Sequence, residues 1–117
     1  MSKNDNRELE AVKILYKALD KKFAQDLTIL DLRGVTPIAD FFVLATGGSA
    51  PQIAALAETA EETLIKEGMK LYHSEGVQTA KWLLLDFGGI VVHIFDNESR
   101  TYYNLERTWG DSKILKM

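Results

Sequence analysis

Residues 82–95 constrain the fold of this chain more than any other segment, because they have the pattern of a two-stranded β-hairpin. Two runs rich in aromatic and β-branched residues, Trp82–Phe87 and Ile90–Phe95, flank the dipeptide Gly88-Gly89. Two glycines can adopt the positive φ angles of a two-residue hairpin turn, and such a turn fixes which residues face each other. The segment therefore predicts two antiparallel strands in a defined register.

This register gives the two faces of the hairpin different compositions. One face carries six large apolar side chains and is predicted to be core: Leu83, Leu85, Phe87, Ile90, Val92 and Ile94. The other face combines aromatic, apolar and polar groups, with Trp82 opposite Phe95, Leu84 opposite His93, and Asp86 opposite Val91. A mixed face of this kind suits contact with another macromolecule, although a helix of the same domain can also cover it.

Length and composition indicate a single domain over residues 1–117. A chain of this size buries roughly two-thirds of the surface of its unfolded form. The sequence has 46% apolar and 26% charged residues, an ordinary globular balance, and no cysteine, which excludes disulfides, thiol catalysis and thiolate metal sites. No apolar run approaches the roughly 20 residues of a membrane span, and Met1–Asn6 is polar. We therefore expect a cytoplasmic protein that does not bind membranes.

The net charge restricts the class of partner. At −3, the chain lacks the clustered cations with which proteins grip many phosphates, so we expect no sequence-specific binding of nucleic acid. An acidic protein is suited to a basic protein partner, because charge complementarity raises the encounter rate and orients the two surfaces.

The first half of the chain alternates between helical and strand patterns. A first amphipathic helix is predicted to start at Asp5 and to end near Lys21-Lys22, with an apolar stripe at Leu9, Val12, Tyr16, Leu19 and Phe23. Two strands are predicted next, at Leu27–Leu32 and Asp40–Thr46. The second is apolar without alternation, as expected of a central strand that is covered on both faces.

A second helix and a further strand are predicted before the hairpin. Ser49 and Gln52 have the spacing of a capping box for a helix at Ala50–Lys66. Met69–Tyr72 is a short strand candidate, which would complete a right-handed strand-helix-strand crossover, and His73–Gly76 is assigned to a loop.

The C-terminal region predicts one more helix. Asn97 is a suitable cap, Gly110 a suitable end, and four residues share a face at helical spacing: Tyr102, Leu105, Glu106 and Trp109. Spacing makes Tyr102 and Trp109 packing residues, while Asp111–Met117 is expected to be poorly ordered. The predicted class is therefore α/β, with a mixed sheet of about five strands and flanking helices.

The turn Gly47-Gly48-Ser49 is the segment that most resembles a phosphate cradle, because glycines before a helix present free N–H groups to an anion. It also resembles the turn of the nucleotidyltransferase fold. That chemistry needs two carboxylates one residue apart to hold magnesium, and Asp26, Asp31 and Asp40 do not have this spacing. A serine-capped turn is the simpler interpretation, and a nucleotide-binding enzyme that uses this turn is the alternative.

The two histidines do not form a metal site by sequence pattern. His73 and His93 are far apart and neither has a helical partner or a neighbouring glutamate motif. We expect no metal and no cofactor. His93 is interpreted as a polar group on the mixed hairpin face that makes one hydrogen bond.

Ordered blocks along the chain carry a family resemblance: Asp40–Ser49, Glu75-Gly76, Trp82–Phe95, and then Arg100, Tyr103, Leu105-Glu106 and Trp109. Together they closely resemble the ribosomal silencing factor family, RsfS, also called Iojap, over nearly the whole chain. Gly48 and Thr108 depart from the family's usual residues, but neither lies in the hairpin.

The resemblance implies a nucleotidyltransferase-like fold without the catalytic carboxylates, and a function without catalysis. Members bind the large ribosomal subunit through its basic ribosomal protein number fourteen, block subunit joining, and lower translation when nutrients are scarce. The family's tryptophan and aspartate fall on Trp82 and Asp86, on the mixed face.

The predicted binding surface follows from the register and the resemblance together. It consists of Trp82, Leu84, Asp86, Val91, His93, Phe95 and Tyr103. Trp82 is the expected apolar anchor and Asp86 the expected acidic contact, since tryptophan is enriched among interface hot spots. The same surface can also form a homodimer of the free protein.

Overall fold

The computed structural model describes residues 3–76 and 82–115, with side chains in the first helix described from Arg7 onward. Its elements follow in chain order: α1 (Lys3–Lys21), β1 (Gln25–Asp31), β2 (Phe41–Thr46), α2 (Ala50–Lys66), β3 (His73–Glu75), β4 (Trp82–Asp86), β5 (Ile90–Phe95), α3 (Asn97–Tyr103), α4 (Leu105–Thr108) and β6 (Lys113–Leu115). The predicted α/β class with a mixed sheet and flanking helices is confirmed. The side chain of Asp5, the predicted cap of α1, lies outside the described residues.

The described strands form one six-stranded sheet in the order β3-β4-β5-β2-β1-β6. β2 and β5 are parallel, and every other neighbouring pair in this sheet is antiparallel. The predicted hairpin register is confirmed, because Trp82 pairs with Phe95, Leu84 with His93, and Asp86 with Val91. β2 and β5 are therefore the central strands of the sheet.

The two long helices cover one face of the sheet and enclose the main core. Buried residues of α1 and α2 pack there against the apolar face of the hairpin and against β2, among them Val12, Leu15, Leu56, Leu64, Phe41, Val43, Leu85, Val92 and Ile94. The helix α2 has the predicted bounds. Its cap Ser49 accepts a hydrogen bond from Gln52 N, as the capping-box spacing indicated.

Three local predictions were wrong. Met69–Tyr72 is not a strand; the strand is His73–Glu75, which was assigned to a loop and pairs antiparallel with β4. The predicted crossover therefore does not form, and β2 has β5 as its parallel neighbour. Phe23 lies beyond α1, with a φ of 65° and an exposed fraction of 81%, and is not part of the helix stripe.

The C-terminal predictions also need correction. Asp96 and not Asn97 caps α3, with its side chain accepting from Ser99 N at 2.7 Å. The predicted single helix is divided at Asn104, whose left-handed φ of 46° ends α3 and starts α4. Lys113–Leu115 is not a poorly ordered tail, because it pairs with β1 as an edge strand. Residues 116–117 of that predicted tail lie outside the described residues.

Candidate interaction surface

The second face of the sheet carries the mixed side of the hairpin and has a smaller core. The buried residues of this core come from β1, β2, β5 and the loop after β1: Leu30, Leu32, Ala39, Phe42, Leu44, Val91 and Phe95. Four larger side chains pack against it while staying partly accessible, namely Trp82, Leu84, Leu105 and Trp109. This face is therefore divided into a buried centre along β5 and β2 and an accessible margin along β4.

Three of the predicted surface residues belong to the buried centre. Val91, His93 and Phe95 have exposed fractions of 7%, 4% and 1%. The expectation that they extend an exposed patch was wrong, because β5 lies between β4 and β2 and the rings of its neighbours cover it. Trp82 is one of those rings, and it lies against both His93 and Phe95.

Trp82 is half-buried, and its contacts fix the direction of its indole ring. The indole Nε1 donates a hydrogen bond to His93 Nδ1 at 3.2 Å. One side of the ring stacks on Phe95, with centroids 5.3 Å apart, and the ring also contacts Tyr103, with centroids 4.3 Å apart. An aromatic side chain held in this way presents its remaining surface in a single orientation.

His93 supports the indole as a neutral, buried acceptor. Since Nδ1 accepts from Trp82, the ring proton of the neutral form lies on Nε2. Burial lowers the pKa of His93 from 6.5 to about 4, so the ring is uncharged at neutral pH. Its Nε2 is buried and has no hydrogen-bond partner among the described residues. The sequence interpretation of a single hydrogen bond agrees with these contacts.

Asp86 lies at the turn end of β4, on the same face as Trp82. It is half-buried, and its Oδ1 accepts a hydrogen bond from Gly88 N at 2.8 Å, which stabilises the hairpin turn. The second carboxylate oxygen accepts no hydrogen bond from the described residues. Asp86 therefore stabilises the turn and also places negative charge at the margin of this face.

The edge strand β3 adds charge to this margin. His73 lies opposite Asp86 and Glu75 opposite Leu84, so both side chains are on the second face. They are exposed, and His73 Nε2 lies 2.9 Å from Glu75 Oε1. Sequence reasoning missed Glu75 as a surface residue of this face because residues 73–76 were assigned to a loop. All three residues of His73-Ser74-Glu75 are polar and exposed, so no alternation of apolar and polar residues marked this strand in the sequence.

Arg100 attaches the C-terminal helices to the sheet. Its guanidinium donates to Thr46 Oγ1 and Thr28 Oγ1, both at 3.1 Å, and forms a bidentate pair with Glu106 at 3.1 and 2.9 Å. The side chain is almost fully buried, with an exposed fraction of 8%. Since α3 ends at Tyr103, this network also fixes the tyrosine that contacts Trp82.

The two tyrosines at the end of α3 are both accessible. Tyr102 was predicted to be a packing residue, but its exposed fraction is 81%; that of Tyr103 is 47%. Trp109 is half-buried and packs edge-on against Phe42, as its spacing suggested. We use the name hairpin surface for the accessible side chains on the second face near β4: Glu75, Trp82, Leu84, Asp86, Tyr102 and Tyr103.

Comparison with known proteins identifies the family to which the chain belongs. The family model described as "Ribosomal silencing factor during starvation" (RsfS) matches residues 5–117. The chain belongs to the RsfS family. It is 38% identical to the ribosomal silencing factor RsfS of Bacillus subtilis over 106 residues, which are 91% of this chain and 90% of that protein. It is 35% identical to the RsfS of Halalkalibacterium halodurans over 108 residues, 92% of each chain.

A solved structure supports the same assignment for this RsfS family member. The crystal structure of a Chromobacterium violaceum protein superposes with a TM-score of 0.83 at 33% identity, covering 87% of this chain and 85% of that one. The family resemblance inferred from the sequence blocks is thus confirmed.

The glycine turn of this RsfS family member uses several of its N–H groups within the fold. Gly47 N donates to Phe95 O at 2.9 Å, Gly48 N donates to Gln52 Oε1, and Gln52 N donates to Ser49 Oγ. A phosphate would have to displace these acceptors. The contacts favour the simpler interpretation of a capped turn over the nucleotide-binding alternative.

Two further features concern metals and membranes. In residues 3–76 and 82–115, no group of three or more His, Asp or Glu side chains is placed to hold a metal ion. None of the helices described is both long and apolar enough to span a bilayer.

Proposed function

We propose that this RsfS family member represses translation by binding the large ribosomal subunit through its basic ribosomal protein number fourteen. Bound there, on the side where the small subunit docks, the protein blocks subunit joining by steric occlusion when nutrients are limiting. It does so in the cytoplasm and without catalysis. The family's name supports a role at the ribosome, and the hairpin surface supports the mode of binding.

The single observation that carries this proposal is the fixed, half-exposed indole of Trp82. Its hydrogen bond to His93 and its ring contacts with Phe95 and Tyr103 hold the ring before any partner arrives. A side chain that is already ordered loses little conformational entropy on binding, which favours affinity. Trp and Tyr are also the residues most enriched among interface hot spots.

The charge of the hairpin surface fits a basic partner. Asp86 and Glu75 place carboxylates on the same face of the sheet as Trp82, with Glu75 opposite Leu84 and Asp86 at the turn end of β4. An apolar centre with a charged rim is the usual arrangement of protein interfaces. The carboxylates at the rim would orient and accelerate the encounter with a cationic protein, while the rings supply most of the affinity.

The test is ribosome co-sedimentation with Trp82→Ala. We expect its affinity for large subunits to fall by about 2 kcal/mol, or roughly thirtyfold, because the apolar anchor is lost. Ile65→Ala is the matched control, since Ile65 is half-exposed on α2, which covers the other face. Equal binding of Trp82→Ala and wild type, with both folded by circular dichroism, would refute the proposed surface.

We also propose that the free protein forms a homodimer through the hairpin surface at high concentration. The exposed Tyr102 and the half-exposed Trp82 and Leu84 give this face the apolar character of such contacts. Sedimentation velocity at two concentrations should show a dimer that Trp82→Ala weakens and that the purified ribosomal protein dissociates. A dimer that is insensitive to both would place the contact elsewhere.

A further inference from the structure

A cavity of about 550 Å³ lies away from the hairpin surface, between the long helices and the turn of the hairpin. Its walls come from the first half of α1, the end of α2 and the segment after it, the residue before β2, and the turn itself. This volume is within the range of small-molecule sites. The two glycines in its lining, Gly68 and Gly89, bring backbone close to the cavity.

Hydrogen bonds of the backbone fix the frame of this cavity. Asp40 N and Phe41 N both donate to Gly89 O, at 2.8 and 3.0 Å, which attaches the start of β2 to the hairpin turn. At the end of α2, Gly68 N donates to Ile65 O and Met69 N to Leu64 O. The cavity is thus formed by backbone whose position is set by the fold.

Charged side chains of both signs line the cavity, and four of them form no ion pair with one another. Arg7 and Lys70 contribute cations, and Asp40 and Glu67 contribute carboxylates. In the described part of the chain, none of these four takes part in an ion pair shorter than 4.0 Å. Asp40 is half-buried, and its carboxylate has no side-chain partner among the described residues.

The side chains of Arg7 and Glu8 lie close to the backbone at Gly68 and Gly89. A methyl group added at Gly68 would lie 3.1 Å from Arg7 Nη2, and one added at Gly89 would collide with the carboxylate of Glu8. A side chain at either position would therefore displace these charged groups. The remaining walls are apolar or aromatic, at Met69, Tyr72 and Phe87.

We propose that this cavity binds the zwitterion of a free α-amino acid that has an apolar side chain. Arg7 and Lys70 would take the α-carboxylate, Asp40 and Glu67 the α-ammonium group, and Met69 and Phe87 the side chain. A nucleotide phosphate would bring more negative charge to a cavity that already carries the carboxylates of Glu8, Asp40 and Glu67. A simple amine would offer no carboxylate to Arg7 or to Lys70, whose ammonium lies 5.5 Å from the centroid of the Tyr72 ring. A zwitterion satisfies both signs at once, and this site is separate from the surface that the proposed function uses.

The probes are L-leucine and L-phenylalanine, titrated into the full chain while its amide NMR signals are recorded. We expect saturable shifts at Gly68 and Gly89, which mark the cavity, and none at Trp82. N-acetyl-L-leucine lacks the ammonium charge and L-leucinamide lacks the carboxylate, so each should bind at least about tenfold more weakly than L-leucine. The proposal is overturned if neither amino acid shifts the cavity signals at millimolar concentration, or if both blocked forms bind as well as L-leucine.

Variants of Asp40 and Lys70 test which residue binds the ammonium group of the amino acid and which binds its carboxylate. Asp40→Asn should weaken binding of L-leucine but leave that of N-acetyl-L-leucine unchanged, because N-acetyl-L-leucine has no ammonium group. Lys70→Met should weaken binding of L-leucine but leave that of L-leucinamide unchanged, because L-leucinamide has no carboxylate. Glu62→Gln and Lys17→Met are the matched controls, because both side chains are exposed and neither lines the cavity. Equal affinity of all four variants for L-leucine would contradict the assignment. Each variant's amide spectrum reports independently whether it is folded.

Discussion

The two faces of the sheet differ in how they are stabilised. The face under α1 and α2 is packed almost entirely by aliphatic and aromatic side chains, including Phe41, Val43 and Leu56. The face under α3 and α4 depends in part on polar contacts, among them the Arg100 network and the hydrogen bond between Trp82 and His93. One face is a conventional core, whereas the other combines a small core with an accessible margin.

This difference indicates which face is available for binding. The long helices cover the first face of the central strands, where Phe41, Val43 and Val92 are fully buried. On the second face, the short helices reach β5 but leave the side chains of β4 half-exposed. A surface whose side chains are fixed from below and open above is suited to recognition.

Phe41→Ala should cause the largest loss of stability. Phe41 is fully buried under the long helices, so its truncation removes apolar burial and leaves a cavity. We expect the free energy of unfolding to fall by about 4 kcal/mol, measured by urea denaturation. Trp82→Ala on the second face is the comparison, and its loss should be less than half as large because Trp82 is half-buried. If the two losses are equal, the second face is as tightly packed as the first.

His93 should make the second face sensitive to pH. Burial lowers its pKa from 6.5 to about 4, so between these values the unfolded chain binds a proton that the folded chain excludes. The stabilisation is complete above pH 6.5, and the free energy of unfolding should decline by about 3 kcal/mol as the pH falls to 4. Below that pH, this group causes no further loss.

The variant His93→Gln provides the control for this pH dependence, because glutamine does not titrate. Its stability should be nearly constant from pH 6.5 to 4, whatever its absolute value. Asp31 affects a lower range, since hydrogen bonds from the Arg33 side chain lower its pKa below 3.8 and its contribution is lost only as the pH falls further. A wild-type slope that persists in His93→Gln would assign the effect to other groups.

The contrast between the faces also explains what the sequence could predict. The hairpin register and the bounds of α2 were predicted correctly because glycine turns, strand alternation and capping residues are local signals. The burial of His93 was not predictable in this way, because its cover comes from Trp82 and from Phe42, which lies fifty-one residues before it in the chain. A histidine on a mixed face has the same local pattern whether or not distant rings cover it.

The edge strands were missed for a related reason. β3 and β6 have three residues each, and their side chains are mostly exposed, so they lack an apolar pattern. Their positions are set by backbone pairing with β4 and β1, which sequence periodicity does not reveal. The role of Arg100 was also missed, because its partners Thr28 and Thr46 lie on strands much earlier in the chain.

Arg100→Met should loosen the second face without disturbing the first. The variant keeps the length of the side chain but loses the bonds to Thr28, Thr46 and Glu106, and we expect a loss of about 2 kcal/mol in unfolding free energy. Amide hydrogen exchange should accelerate in α3 and α4, while α1 and α2 remain protected. Uniform acceleration across both faces would mean that Arg100 stabilises the whole domain.

Asp86→Asn should have the smallest effect on stability and a specific effect on binding. Asparagine retains an oxygen that can accept the hydrogen bond from Gly88 N, so we expect a loss of less than about 1 kcal/mol. Removing the charge should slow association with a basic ribosomal partner and reduce the dependence of that rate on salt, with little change in dissociation. Stopped-flow kinetics at two ionic strengths would measure both. Glu62→Gln, on the helix that covers the first face, removes an equal charge and should leave the rate nearly unchanged, because the steering depends on charge on the face that docks. An equal reduction in both variants would show that net charge, and not the position of Asp86 on the hairpin surface, controls the encounter.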